Sequence, residues 1–208
     1  DANIEIWPIL AAANTDGETS LLRPSIGVGG HCTPVYPHFL IRDAERRGIN
    51  LSMAVIGRSV NDQQPFRAVE RLSAYLGGLT DKTVHILGLA FRPGVREDAM
   101  SPAYQLQDAL KKMGAQVTLE DPLFSHLEIA ACGFTPSTVG ESKPEAVILN
   151  TAHEVFCNPN LEIWQKSGVK VIVDGQNIWS KSAAIQAGLG YIGVGFPDPI
   201  PPERQATE

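Results

Sequence analysis

The spacing of apolar positions changes part way along the chain. Over residues 1–13, Ile4, Ile6, Trp7, Ile9 and Leu10 recur at mixed helical spacing before an Ala-rich stretch, and the loop formers of residues 14–17 stop the pattern. A loop follows over residues 21–32, carrying Pro24 and three glycines. Thr33 and Pro34 read as an N-cap and first-turn pair, predicting a helix to about Arg47 with Gly48 placed to end it. A longer helical segment is predicted over Ser52–Leu76, kinked or broken at Pro65. Gly77 and Gly78 close it, and a domain boundary is expected there.

Beyond residue 79 the pattern alternates. Residues 84–90 form an apolar run of strand length. Ser101 and Pro102 cap a helix whose Ala103, Leu106, Leu110 and Met113 share one face, ended by Gly114. Gln116–Glu120 is a strand closed by Asp121 and Pro122. Residues 146–150 and 169–174 are further apolar strands, residues 160–166 and 177–187 are helices, and residues 191–194 give a last strand. Buried strands separated by helices predict a mostly parallel sheet. The expected fold is therefore α/β: a helical segment at 1–78, a Rossmann-like doubly wound domain at 79–196, and a Pro-rich tail at 197–208.

Composition narrows the function classes. With 208 residues, 43% hydrophobic and 19% charged, the chain suits one or two globular domains. A net charge of −6 speaks against a nucleic-acid partner but leaves room for one small anion held by an Arg or two. No apolar run approaches the ~18 residues that span a bilayer, so no membrane partner is expected. Three cysteines make no complete disulfide framework and no zinc spacing, which points to a reducing cytoplasm and to no metal. The chain opens at Asp1 inside a helical pattern, without a basic-then-apolar leader, and so reads as part of a longer protein.

In an open α/β sheet, ligands bind at the carboxyl ends of the strands. The first strand runs out through Gly88-Leu89-Ala90-Phe91-Arg92-Pro93-Gly94. Ala90 stands where a dinucleotide fingerprint needs its second glycine, and Pro93 blocks immediate entry into a helix, so no standard NAD site is read here. Arg92 has two open readings: a permanent cation for a phosphate, or a surface residue paired with Glu97 or Asp98.

The stronger signal is Gly27-Val28-Gly29-Gly30-His31-Cys32-Thr33-Pro34. Its glycines permit close backbone approach. Cys32 lies at the mouth of a predicted helix, whose free N–H groups favour a thiolate, so it is read as a nucleophile, the alternative being an inert packed thiol. His31 either assists or packs. Cys132 and Cys157 read as packing residues, and His38, His85, His126 and His153 as structural. Asp121-Pro122 is either a ligand contact or a turn.

Taken in chain order, these motifs resemble one known family. Arg23-Pro24-Ser25-Ile26-Gly27-Val28-Gly29-Gly30-His31-Cys32 is similar to the catalytic-cysteine loop of the UDP-glucose/GDP-mannose dehydrogenase family. Asn61, Asp62 and Pro65 resemble a stretch of its central helix, and Leu87-Gly88-Leu89-Ala90-Phe91-Arg92-Pro93 with Ser101-Pro102 resembles the opening of its nucleotide-sugar domain. Asp121-Pro122, Asn150 with His153, and Asp174-Gly175 continue the match over nearly the whole chain.

The resemblance implies an NAD-dependent oxidation of a nucleotide-sugar C6 alcohol to the uronic acid, used for surface-polysaccharide precursors. Cys32 would hold the aldehyde as a thiohemiacetal and then as a thioester that water hydrolyses. Leu21, Leu22, Ser25 and Gly29 would line the nucleotide and sugar, with Phe91 and Arg92 contributing from the other domain, and the central helices would form a homodimer. The family's NAD-binding domain, with its catalytic Lys and Asn, lies upstream of the match, so the resemblance implies that NAD is bound mainly outside this chain. This chain alone is expected to be inactive.

Three positions depart from the family pattern: Tyr36 for an Asp, Arg92 for a Lys, and Gln176 for an Arg. Tyr36 and Arg92 point to the branch acting on UDP-N-acetylglucosamine or UDP-N-acetylmannosamine. The alternatives are a non-catalytic UDP-sugar-binding and dimerisation module, and a Cys-dependent hydrolase that would need a base for Cys32.

Overall fold

The computed structural model describes residues 4–199. Helix α1, Ile6–Ala13, has no buried residue and is held from outside. The Ile6 N–H donates to the Gly195 carbonyl at 2.9 Å, and the Trp7 indole N–H donates to the Val194 carbonyl at 2.8 Å. The first three positions of the predicted opening helix, and the predicted tail from residue 200 onward, lie outside the described residues.

Helix α2 spans Tyr36–Arg46 and α3 spans Ser52–Leu76. The break expected at Pro65 is absent, and α3 runs through it as one helix. Pro65, Ala68, Val69 and Leu72 are buried, and the last three of these join the core under the sheet. That packing offsets the ~3 kcal/mol that a helix-interior proline costs.

The remaining elements alternate. They are β1 (Thr83–Leu87), α4 (Pro102–Lys112), β2 (Gln116–Glu120), α5 (His126–Ala131), β3 (Thr135–Pro136), α6 (Val139–Ser142), β4 (Ala146–Leu149), α7 (Leu161–Ser167), β5 (Val171–Asp174), α8 (Lys181–Gln186) and β6 (Gly190–Gly193). A 3-10 turn, Glu154–Phe156, lies between β4 and α7. All strand pairs are parallel, in the order β3-β2-β1-β4-β5-β6. That is the doubly wound Rossmann-type order, with its switch point between β1 and β4.

The sheet is buried on both faces, which is why its strands read as continuous apolar runs. Along β4, Ala146 and Ile148 enter one core cluster, with α3, α4 and α5. Val147 and Leu149 enter the other, with α6, α7 and α8. This is the two-residue period of a strand dividing its side chains between two layers.

Several element boundaries differ from expectation. Strand β1 ends at Leu87 rather than at 90, because Gly88 takes φ 98° and turns the chain. Helix α8 starts after Ser180, whose hydroxyl accepts the Ala183 N–H, while Asn177 is left-handed at φ 51°. The chain also folds α5, β3 and α6 where the hydrophobic pattern gave no element.

Candidate functional site

The segment leading to Cys32 crosses the carboxyl ends of β4 and β5. The Ile26 N–H donates to the Gly175 carbonyl at 2.8 Å, and Ile26 is fully buried. The Val28 N–H donates to Asn61 Oδ1 on α3 at 2.9 Å, and the Gly30 N–H donates to the Ala99 carbonyl at 2.8 Å. A Cβ at Gly29 would lie 2.7 Å from the Cβ of Phe91, and one at Gly27 would lie 2.9 Å from Pro102 Cγ. These glycines therefore let the loop lie against the chain after β1 and against α4.

The helix expected from Thr33 and Pro34 begins instead at Tyr36, and its first-turn proline is Pro37. Thr33 and Pro34 belong to a preceding turn, in which the Cys32 carbonyl accepts the N–H of Val35 at 3.2 Å and of Tyr36 at 2.9 Å. Cys32 is exposed, one turn ahead of α2. The Tyr36 hydroxyl titrates above its ordinary value, raised by its hydrogen bond to Cys32 and then by the charge of the Cys32 thiolate.

Cys32 lines a groove of about 780 Å³ between α2 and α3. Val28, Tyr36, Leu40, Arg58 and Asn61 share its walls. Arg58 is 11% exposed, and its Nη2 pairs with Asp62 Oδ1 at 2.5 Å. Asn61 Nδ2 donates to the same oxygen at 3.3 Å while Asn61 Oδ1 holds the Cys32 loop. Loop, groove and cation thus share one anchor on α3. Arg58 was not singled out from sequence. Its i, i+3, i+4 spacing with Asn61 and Asp62 on one helix face was the available signal.

The other expected site residues lie outside this groove's walls. Gly29 packs on Phe91, and the Arg92 guanidinium lies 5.6 Å from the centre of the Phe91 ring. Neither acid offered as an Arg92 partner takes it: Glu97 is held by His31, and Asp98 by the Tyr104 hydroxyl. Both backbone groups of Leu21 pair with the Asn14 side chain, and Leu22 is 88% exposed. The Ser25 hydroxyl donates to the Gly27 carbonyl at 2.9 Å. The structure thus brings Gly29, Phe91 and Arg92 together and leaves Leu21 tied to the end of α1.

At the sheet's carboxyl edge, Asp121 takes neither of its two expected roles alone. Its Oδ1 accepts the Leu123 N–H at 2.8 Å, which is the turn. Its Oδ2 accepts the N–H groups of Leu89 at 2.7 Å and Ala90 at 2.9 Å, and contacts His153 Nε2 at 3.1 Å. Those N–H groups belong to the turn that presents donors to a pyrophosphate in dinucleotide-binding Rossmann domains. Here a protein carboxylate fills that place. Across the switch point, Asn150 Nδ2 donates to the Gly88 carbonyl at 3.0 Å.

Comparison with known proteins agrees with this architecture. Residues 1–63 match the central domain of the UDP-glucose/GDP-mannose dehydrogenase family, and residues 85–181 match its UDP binding domain. The UDP-N-acetyl-D-mannosamine dehydrogenase of Pyrococcus horikoshii is 27% identical over 203 residues, covering 94% of this chain and 45% of that protein. UDP-glucose 6-dehydrogenase TuaD of Bacillus subtilis is 27% identical over 182 residues, covering 85% of this chain and 40% of that protein. The solved UDP-D-ManNAc dehydrogenase of Pyrococcus horikoshii superposes with a TM-score of 0.78 at 26% identity, covering 95% of this chain and 46% of that one. The chain spans about half the length of the curated relatives it matches. With both family regions matched in order on a parallel six-stranded sheet, the chain belongs to the UDP-glucose/GDP-mannose dehydrogenase family.

Proposed function

We propose that this chain forms the central and UDP-sugar-binding parts of an NAD-dependent nucleotide-sugar 6-dehydrogenase, divided at residue 78. The substrate is a UDP-N-acetylhexosamine, read from Tyr36 and Arg92 and in keeping with the mannosamine dehydrogenases among the relatives. The observation that carries the reading is Cys32, exposed on the wall of a groove that Tyr36 also lines.

In this reading the Cys32 sulfur adds to the C6 aldehyde carbon and holds it through thiohemiacetal and thioester, and water completes the carboxylate. Gly29, Phe91 and Arg92 form the sugar-nucleotide wall, with Arg92 facing the phosphates. Leu21, Leu22 and Ser25 close the nucleotide side. The described residues do not fit a dinucleotide, since Asp121 occupies the donors of the β1 turn. Hydride acceptance therefore belongs to a part of the protein outside this chain.

The exposed apolar side chains of α2 and α3, among them Phe39, Leu40, Met53 and Ile56, form the contact with a second copy. The three free cysteines suit a reducing cytoplasm. No described helix is long and apolar enough to cross a membrane. A hydrolase is disfavoured, because among the described residues the candidate base His31 pairs with Glu97 and makes no hydrogen bond to Cys32.

Calorimetric titration with UDP-N-acetylmannosamine, UDP-N-acetylglucosamine, UDP-glucose and NAD tests the reading. Binding of an N-acetylated UDP-sugar without binding of NAD is expected. Binding of NAD with no UDP-sugar affinity would overturn it.

A further inference from the structure

The groove beside Cys32 carries an imbalance of charge. Its other walls are apolar or neutral, Val28, Leu40 and Asn61 among them, and no lining residue is a carboxylate. Arg58, which carries a permanent cation, is among its lining residues. Asp62, the counter-ion, is 43% exposed and lies outside the groove lining, while Arg58 is 11% exposed. Water therefore screens the negative end of the pair more than the positive end.

The pairing is also incomplete. Asp62 takes Nη2, but the buried Arg58 Nε–H has no hydrogen-bond partner among the described residues. A buried, unsatisfied donor on a charged group is costly to leave unpaired. A planar guanidinium is also a fork built for two carboxylate oxygens. Asn61 fixes the arrangement, because it holds the Asp62 carboxylate with one end of its amide and the Cys32 loop with the other.

We propose that Arg58 is the specificity-determining residue of the Cys32 groove and selects a carboxylate, or equivalent oxygen charge, on the carbon chain held at the Cys32 sulfur. This rests on reading Cys32 as the nucleophile and names the charge that the groove is built to accept. A uronate or sulfur-bound oxyanion at that carbon is stabilised over the neutral alcohol that enters, so the cation favours the oxidised end of the reaction.

The test uses the full chain and two reagents that differ in charge alone. Iodoacetate and iodoacetamide both alkylate a thiolate with loss of iodide, and mass spectrometry reads the rate at each cysteine. The iodoacetate-to-iodoacetamide rate ratio is expected to be about fivefold or more higher at Cys32 than at Cys132 or Cys157, as a cation lining the same groove gives. Arg58→Gln should abolish that preference and Arg58→Lys should keep most of it. In the unmutated chain, added salt should erode it.

A Cys32 that outpaces the other two with iodoacetamide yet shows their ratio overturns the role of Arg58 and leaves the nucleophile standing. A Cys32 no faster than the others with iodoacetamide defeats the nucleophile, and this proposal with it. Where Arg58→Gln does not fold, a wild-type ratio indifferent to salt is sufficient to reject the proposal.

Discussion

Gly29 packs backbone to side chain on Phe91, so closely that a Cβ at residue 29 would stand 2.7 Å from the Phe91 Cβ and 2.8 Å from the Met100 carbonyl oxygen. One of these neighbours is backbone and cannot swing aside. Gly29→Ala must therefore push the Cys32 loop off the chain that follows β1. Overpacking of this kind costs about 1–3 kcal/mol. We expect a lower melting temperature and weaker UDP-sugar binding together. Gly57 gives the contrast: it lies inside α3 with nothing within 4 Å of an added Cβ. Gly57→Ala should raise stability by about 0.5–1 kcal/mol, from helix propensity. Thermal unfolding of the two variants side by side checks both signs.

The Asp121–His153 contact makes a prediction about acid. Burial pushes the Asp121 carboxyl up, but its hydrogen bonds to His153 and to the N–H groups of Ala90 and Leu123 together hold it below the usual carboxylate value of 3.8. A folded-state value below the unfolded one gives stability that is present above the unfolded value and lost as pH falls through the folded value. Asp174 has the opposite sign, because burial raises it, so its contribution weakens as pH rises through the carboxylate range. Comparing wild type with Asp121→Asn isolates the first. The variant should be less stable by about 2–3 kcal/mol near neutrality, having exchanged a charged acceptor for an amide beside two buried N–H groups. The gap should narrow at acid pH. Urea unfolding at a series of pH values measures it, and a gap constant down to acid unfolding would count against this role.

Much of this fold was legible in the sequence, and the exceptions have causes. Strand β2 was read at its observed bounds, because Val117 and Leu119 alternate with polar residues and Pro122 follows. Of the kink or break that Pro65 predicts, the break does not occur, since local propensity does not register the burial of Ala68, Val69 and Leu72. Helices α5 and α6 are too short to show a period, although Ser125 with Glu128 and Thr138 with Glu141 spell capping boxes that the structure forms. The Cys32 loop was visible in its glycines, but what those glycines approach was not. Phe91, Ala99 and Pro102 lie some sixty or more residues away in sequence. The Arg58 groove was hidden for the same reason, since α2, α3 and the loop build it only once folded.

Tyr36 and Cys32 share one wall of the groove. The hydrogen bond to Cys32, then the thiolate charge, holds the Tyr36 phenol above its ordinary value of 10. Cys32→Ala removes both, so Tyr36 should ionise at lower pH in that variant. Tyr75 and Tyr104, whose shifts arise first from burial, should not move with it. Ultraviolet difference titration of wild type against Cys32→Ala reads the change. An unchanged alkaline titration would separate the two side chains.

The proposed contact with a second copy predicts a change in oligomeric state. Met53 is 88% exposed on α3 and Phe39 is 68% exposed on α2, a degree of exposure that side chains of this size seldom keep in an isolated monomer. Neither belongs to the buried core, so charging them leaves the fold intact. Met53→Asp and Phe39→Asp put a charge into the apolar patch of both copies, which a two-fold contact would then have to bury. We expect sedimentation to show a dimer for the parent chain and a monomer for the double variant at the same concentration, with unchanged circular dichroism. A parent chain that sediments as a monomer would count against a second copy at these side chains.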